Sequence, residues 1–328
     1  MPLGEFELID RFFRDCGATR SDVRLGVGDD AAVLECPAGD QLVAAADTLV
    51  AGRHFLTHWP SQSTGHRALA VNLSDLAAMG ARPAWALLAL TLPEVDERWL
   101  SGFAAGFREL ALAHDVALIG GDTTAGPLCV TVQVLGHVPR STALRRSGGR
   151  PGDVLFVSRT LGDAVCALAL ENGRLQAGRA EDAEWLRRRL FFPEPRVALG
   201  MRLRDYASAC IDVSDGLLGD AGKLARASGC GAQIEYTQVP LSQALLGVVG
   251  EEQARRLALT GGDDYELCFS VPPERVAAML QALPPEQWGY RRIGELTDTG
   301  NVVVMRDGSV MQFSHSGFDH FAMPADPA

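Results

Sequence analysis

The sequence predicts two mixed α/β (α+β) domains. Three observations carry that expectation. Apolar runs of strand length alternate with segments of helical period along the chain. Residues 139–152 are rich in Arg, Ser, Gly and Pro and interrupt that rhythm, which then resumes in the same style. The 328 residues are enough for two sizeable cores. The expected division is an N-terminal domain over 1–140 and a C-terminal domain over 150–328.

Each element follows from local pattern. Residues 5–15 carry Phe and Leu at helical spacing and predict a short amphipathic helix. Residues 24–27 predict a strand running into Gly28-Asp29-Asp30, and 31–35 resume an extended pattern. The apolar run 41–46 predicts a strand that ends at Asp47. Residues 63–80 have helical period, with Gly80 where a C-terminal cap belongs. Residues 84–92, closed by Pro93, predict a buried strand, and 96–114 a helix. A strand over 116–119 should run into Gly120-Gly121-Asp122 and pair with 130–138 through a turn at Gly126-Pro127. Beyond the boundary, strands are expected at 154–158, 208–213, 233–236, 266–271, 292–296 and 302–305. Helices are expected at 162–172, 181–191, 216–228, 240–250, 251–258 and 273–282. No low-complexity segment and no repeat of 20–50 residues interrupts the pattern.

Bulk composition excludes several functions. Apolar residues make up 47% and charged residues 22%, which is ordinary for a globular protein. A net charge of -11 argues against nucleic acid as a partner, because that binding neutralises phosphates with basic surface. The first ten residues have no basic region and no long apolar run, so no signal peptide is read there. No stretch approaches the ~18 apolar residues of a membrane span. The seven cysteines are odd in number, widely spaced and free of Cys-x-x-Cys pairs, which predicts buried reduced thiols in a cytoplasmic protein. Lys223 is the single lysine among 30 Lys and Arg. It follows Gly222, but Leu217 stands where a P-loop has its first Gly and Leu224 where it has Ser or Thr. Any phosphate cradle here must use metals, arginines and backbone amides.

The chemistry lies in the aspartates. Six short segments place Asp beside Gly or at the end of an apolar run, around Asp30, Asp47, Asp75, Asp122, Asp212 with Asp215, and Asp263 with Asp264. One Asp-Gly pair is a turn and one Asp before a helix is a cap. Recurrence at the ends of successive strands is different, because loops there gather side chains on a rigid scaffold. Asp30, Asp47, Asp122 and Asp212 are expected in that position, and Asp75 within a helix, sharing a face with Asn72 and Met79. Gathered carboxylates repel and raise one another's pKa unless a cation relieves them. Mg2+, held by carboxylates together with substrate phosphates, is the expected remedy. His54 reads equally as a surface loop residue or a ligand contact, and Arg146 as a phosphate clamp or a solvated arginine.

Taken together these segments resemble one family. They are Gly-Val-Gly-Asp-Asp-Ala-Ala at 26–32, Asp-Thr-Leu-Val-Ala-Gly-Arg-His-Phe at 47–55 and Ala-Val-Asn-Leu-Ser-Asp-Leu-Ala-Ala-Met-Gly-Ala at 70–81. They continue with Leu-Ile-Gly-Gly-Asp-Thr-Thr at 118–124, Ile-Asp-Val-Ser-Asp-Gly-Leu at 211–217, Gly-Gly-Asp-Asp-Tyr-Glu-Leu at 261–267 and Gly-Phe-Asp-His-Phe at 317–321. In this order they are similar to bacterial thiamine-monophosphate kinases. The segments around Asp75 and Asp122 alone would indicate only the wider aminoimidazole ribonucleotide synthetase-like superfamily. The segment at 47–55 and the ending narrow the resemblance to the kinases.

The resemblance implies two domains of the aminoimidazole ribonucleotide synthetase-like fold and a homodimer whose N-terminal sheets pair into a barrel. The N-terminal domain would bind ATP and metal and make the dimer. The implied reaction moves the γ-phosphoryl group of ATP to thiamine monophosphate, giving thiamine diphosphate. Asp30, Asp47, Asp75, Asp122, Asp212 and Asp215 would hold several Mg2+ ions. Gly121, Asp122, Arg146 and Ser214 would meet ATP, and His54, Asp263 and Phe318 the thiamine phosphate. The acceptor oxygen is already ionised near neutral pH, so no residue is expected to act as acid or base. Neutralising and aligning two polyanions is the task, by direct in-line transfer.

Three positions depart from the family pattern. Ala45 and Ala46 stand where hydroxyl residues usually precede Asp47, Asp263 stands for a common Glu, and Phe318 for a frequent Tyr. Rival readings are another ATP-dependent member of the superfamily, of the cyclo-ligase or selenophosphate synthetase type, and a non-catalytic sensor of thiamine phosphates or nucleotides. Cys16 lacks the lysine partner expected of a selenophosphate synthetase, and a sensor has little need of six acids.

Overall fold

The computed structural model describes residues 3–313 and Gly317. The chain forms two compact units, Met1–Ala143 with Phe191–Arg204, and Leu144–Leu190 with Asp205–Ala328.

The first unit opens with α1 (Glu5–Phe12), which buries Leu8, and the antiparallel pair β1 (Val23–Leu25) and β2 (Val33–Leu34). Then come β3 (Asp40–Val50), α2 (Ser61–Ala78), β4 (Arg82–Leu92), α3 (Glu97–Ala113), β5 (Ala117–Ala125) and β6 (Cys129–Pro139). Four of these strands form a sheet in the order β3-β6-β4-β5. β4 and β5 run parallel across the α3 connection; the other neighbours are antiparallel. β3 and β5 are therefore the sheet edges, and β5 does not pair with β6 as the sequence suggested, because β4 lies between them.

The two faces of this sheet differ. Val130, Val132 and Val134 of β6 are buried, as are Leu88 and Leu90 of β4. Gly136 of the same β6 face lies against Leu76 of α2, so this is the helix-covered face. On the other face Leu42 and Val50 are 54% and 39% exposed. α2 and α3 cross closely because small residues line the crossing. A Cβ at Gly65 would fall 2.0 Å from the Phe103 carbonyl oxygen, and one at Gly106 1.9 Å from that of Gln62. α3 starts where Asp96 caps it, accepting from the amides of Arg98 and Trp99.

The chain continues through β7 (Val154–Ser158), α4 (Asp163–Glu171) and α5 (Ala180–Phe191), and returns to the first unit with α6 (Val197–Leu203). The second unit then adds β8 (Ala209–Val213), α7 (Leu217–Ala227), β9 (Gly231–Glu235), α8 (Gln243–Thr260), β10 (Glu266–Val271), α9 (Pro273–Ala282), α10 (Pro285–Trp288), β11 (Tyr290–Thr297), β12 (Val302–Arg306) and β13 (Ser309–Met311). Its sheet has the order β13-β12-β9-β11-β7-β10-β8, antiparallel except for β12 beside β9. Every residue of β7, β8 and β10 is buried, the polar Ser158, Asp212, Glu266 and Ser270 included. The two helices expected over 240–250 and 251–258 are both present within α8, which breaks between them at Gly250, where φ 73° and ψ 168° are not helical. No helix among the described residues is long and apolar enough to cross a membrane.

Candidate active site

The acids of the first unit sit on three kinds of element. Asp30 lies exposed in the loop between β1 and β2, its amide donating to Asp29 Oδ1 at 2.8 Å. Asp75 is on α2, one turn after the buried Asn72. Asn72 Oδ1 accepts the Asp47 amide at 2.9 Å, and Asn72 Nδ2 donates to the Ala68 carbonyl at 2.9 Å. One amide side chain thus ties β3 to the helix that carries Asp75.

Asp47 and Asp122 are not in loops past their strands, as the sequence suggested; both lie within strands. β3 stays in register with β6 through Val50, pairing Asp47 with Val132 and Thr48 with Thr131. β5 continues to Ala125 because the register shift between Ala86 and Leu87 of β4 absorbs one extra residue. Gly121 follows at φ 150°, and a Cβ there would meet the Leu88 carbonyl oxygen at 1.8 Å, so only glycine fits. The two acids end on opposite edges. Residues Asp47, Val132, Leu88 and Gly121 form one row across the sheet, and Thr48, Thr131, Ala89 and Asp122 the next. Three strand spacings put about 14 Å between the edges. Alternation also turns them apart: Asp47 shares the helix-covered face with Val132, while Asp122 shares the open face with Ala89.

His54 closes the turn after β3. Its Nδ1 accepts the Val50 amide at 3.0 Å, and its own amide donates to the Val50 carbonyl at 2.9 Å. An accepting Nδ1 is unprotonated, which leaves the ring proton on Nε2 as a donor.

In the second unit the groups cluster around β8, an edge strand. Asp212 is buried within β8, again inside the strand rather than after it. The segment carrying Arg146 is lashed beside β8: the Cys210 amide donates to the Arg145 carbonyl at 2.8 Å and Ser228 Oγ to the Arg146 carbonyl at 3.0 Å. The Arg146 residue itself is exposed. Past the strand, Asp220 of α7 folds back and accepts the amides of Ser214 and Asp215 with Oδ2, both at 2.9 Å. Those amides are spent on Asp220, so a ligand contact at Ser214 falls to its hydroxyl. Lys223 Nζ lies 2.5 Å from Asp215 Oδ2 and 2.8 Å from Asp220 Oδ1. Burial raises the Asp220 pKa despite Lys223. Burial opposes the Lys223 charge, yet hydrogen bonds to Asp215 and Asp220 outweigh it and raise its pKa.

The segment bearing Asp263 docks on the same turn. Its amide donates to the Ser214 carbonyl at 2.8 Å, and the Tyr265 amide to the Val213 carbonyl at 2.8 Å. Asp263 and Tyr265 adopt φ 72° and 51°, and Tyr265 OH donates to Asp263 Oδ1 at 3.1 Å. Two non-glycine residues in the left-handed region mark a segment held by its surroundings. Phe318 lies outside the described residues. Sequence reasoning missed Asp220 and the pairing of Lys223. The signal was present for the first: an acid four residues into a helix after a Ser-Asp-Gly turn can cap that turn.

Among the described residues no three His, Cys, Asp or Glu side chains gather as a ready cation site. The seven cysteines are unbridged; five are buried, Cys129 is half-buried and Cys36 exposed. Burial pushes the thiol of Cys16 up to about 12 and that of Cys166 to about 11, which leaves neither as a thiolate nucleophile.

Two family models match the chain: AIR synthase related protein, N-terminal domain, over residues 28–138, and AIR synthase related protein, C-terminal domain, over 150–307. The thiamine-monophosphate kinase of Escherichia coli (strain K12) is 48% identical over 325 residues, spanning 99% of this chain and 100% of its own. The crystal structure of thiamine-monophosphate kinase from Stenotrophomonas maltophilia K279a is similar with TM-score 0.84 and 47% identity, over 95% of this chain and 99% of that one. AaThiL complexed with AMPPCP and TMP is similar with TM-score 0.77 and 31% identity, over 98% of this chain and 99% of that one.

Proposed function

The chain belongs to the thiamine-monophosphate kinases, and we infer that it transfers the γ-phosphoryl group of ATP to thiamine monophosphate, giving thiamine diphosphate. The observation that carries this is similarity over nearly the full length to a relative of that activity. A more distant relative, solved with AMPPCP and TMP, supports the pair of substrates.

The donors read as metal ligands are Asp30, Asp47, Asp75, Asp122, Asp212 and Asp215. They offer only carboxylate oxygens, which suits a hard cation, and Asp215 already carries a cationic partner in Lys223. A preassembled trio is not required, because Mg2+ is commonly held by one or two carboxylates with substrate phosphates completing the shell. Bound Mg2+ would neutralise the phosphates of both substrates and favour in-line attack. The chain's own groups do the rest. Arg146, exposed on its braced segment, clamps phosphate oxygens, and Ser214 offers its hydroxyl. Gly121, lacking a side chain, lets the ATP phosphates approach the β5 backbone beside Asp122. His54 donates from Nε2 to the phosphate of thiamine monophosphate. Asp263, fixed by Tyr265, and Phe318 contact the thiamine part. No residue need act as general base, since the acceptor oxygen is already anionic.

We read the protein as a cytoplasmic homodimer. Five buried free thiols suit a reducing compartment. The open sheet face of the first unit and its two edges call for a second copy. Pairing β3 of one copy with β5 of the other covers both edges and closes the sheets into a barrel.

A coupled assay of ADP release tests the function. ADP formation that requires thiamine monophosphate is the expected outcome. ADP formed only with another acceptor, or none with any, would overturn it.

A further inference from the structure

We propose that Lys223 is a built-in counter-cation for Asp215, which a divalent ion must displace, so that this one lysine sets how tightly the Asp215 corner takes metal. The proposal rests on the reading of Asp215 as a metal ligand. Lys223 Nζ is 2.5 Å from Asp215 Oδ2 and 2.8 Å from Asp220 Oδ1. The two carboxylates have different freedom. Asp220 is 1% exposed and its other oxygen is committed to the amides of Ser214 and Asp215. Asp215 is 32% exposed and its pairing oxygen faces only the ammonium among the hydrogen bonds described. Lys223 is 39% exposed, on the same face of α7 as Asp220 three residues before it. It can therefore give up Asp215 and keep Asp220 without leaving its helix.

An ammonium and a divalent ion cannot both sit against one carboxylate without repelling each other. Metal entry at Asp215 must then break one ion pair and move one cation. A half-exposed ion pair of this kind is weak, so the handicap it imposes is modest, about two- to fivefold in metal affinity. The arrangement keeps Asp215 oriented and neutralised between catalytic cycles, while the buried Asp220 prevents the turn from collapsing when the lysine swings away.

Mn2+ binding to the full chain saturated with AMPPCP, followed by its electron paramagnetic resonance signal, tests this. Asp215→Asn should remove one class of Mn2+ site. Lys223→Gln, which deletes the charge but can still donate to Asp220, should tighten that class about two- to fivefold. Lys223→Arg, which keeps the charge, should stay near the unaltered protein. Lys223→Met serves as a second charge deletion, with thermal melting to confirm folding. Unchanged or weaker Mn2+ binding in both charge-deleted variants would overturn the proposal and leave the metal role of Asp215 standing. Loss of ATP affinity in those variants with unchanged Mn2+ binding would also overturn it, assigning the lysine to phosphate. If Asp215→Asn removes no Mn2+ site, the proposal and the assignment of Asp215 to metal fail together.

Discussion

Asp264 has one oxygen bonded to the Gly162 amide at 2.8 Å, while the other, Oδ1, is buried without a hydrogen-bond partner. Nearby, Arg189 bonds Glu266 at 2.7 Å and faces Asp163 at 3.5 Å. Asp163, Asp264 and Glu266 thus lie buried around one guanidinium. Burial, more than any other influence, pushes the Asp264 carboxyl well above its usual range. The native chain therefore holds a proton at Asp264 that the unfolded chain releases above a pH of about 4. Stability falls as pH rises from there towards the raised native pKa. Asp264→Asn keeps an acceptor for Gly162 and removes that dependence. Urea unfolding at pH 5 and pH 8 should show the variant gaining about 1 kcal/mol or more relative to the unaltered protein at the higher pH. A variant whose relative stability drops between those two pH values would contradict the neutral carboxyl. Ala46 presents a different question. It neighbours Asp47 on β3 and offers no side-chain oxygen. Ala46→Thr should lower the Mg2+ concentration for half-maximal activity by about two- to fivefold, the effect of one added hard ligand. An unchanged Mg2+ titration would show that the missing hydroxyl has no bearing on the metal.

Elements explain what was legible in the sequence. α2, α3 and β4 follow from helical period and an unbroken apolar run, both of them local signals. Strand ends do not. The run 41–46 seemed to stop at Asp47, and 116–119 at Gly120-Gly121, because polar and glycine residues weaken strand propensity. What carries β3 on to Val50 is β6 beside it, and what carries β5 on to Ala125 is a bulge against β4. Both partners are distant in sequence, so the aspartates stood out in the sequence while their setting did not. Asn72 was placed on the Asp75 face from spacing alone, but its bond to the Asp47 amide depends on how α2 packs. The glycines are the other illegible part. Gly121 read as the end of a strand and an ATP contact, while its packing against the Leu88 carbonyl, which no side chain would permit, depends on the sheet. Gly121→Ala should destabilise the protein by about 3 kcal/mol or shift the end of β5, since backbone cannot yield as a side chain can. Equilibrium unfolding with an activity assay checks this. A variant of unaltered stability and rate would show that the strand relaxes without harm.

At the scale of the molecule, the local signals stop short of two facts. One is the return of Phe191–Arg204 to the first unit, where Gly200 of α6 meets the Ala77 carbonyl of α2 across more than a hundred residues. The other is the distance between acids that the sequence grouped together. Asp47 and Asp122 occupy opposite edges of one four-stranded sheet and face opposite sides. If both serve the same phosphates, a single first unit cannot bring them together by side-chain movement, because about 14 Å exceeds the reach of two aspartates. A symmetric pair of sheets brings the edges to one strand spacing, ~5 Å, since the β3 edge of one copy then meets the β5 edge of the other, and phosphates with their ions would span the two faces. Asp47→Asn and Asp122→Asn should each be nearly inactive alone. Co-expressed, they should form mixed dimers in which one site receives both substitutions and the other neither. With half the dimers mixed and one of two sites intact in each, activity should recover to about one quarter of the unaltered enzyme. Recovery requires the dimer, so Leu42→Lys on the open face should abolish it along with the dimer mass in sedimentation. A co-expressed pair no more active than its separate members would mean that each chain assembles its acids alone, and the shared-edge arrangement would have to be abandoned.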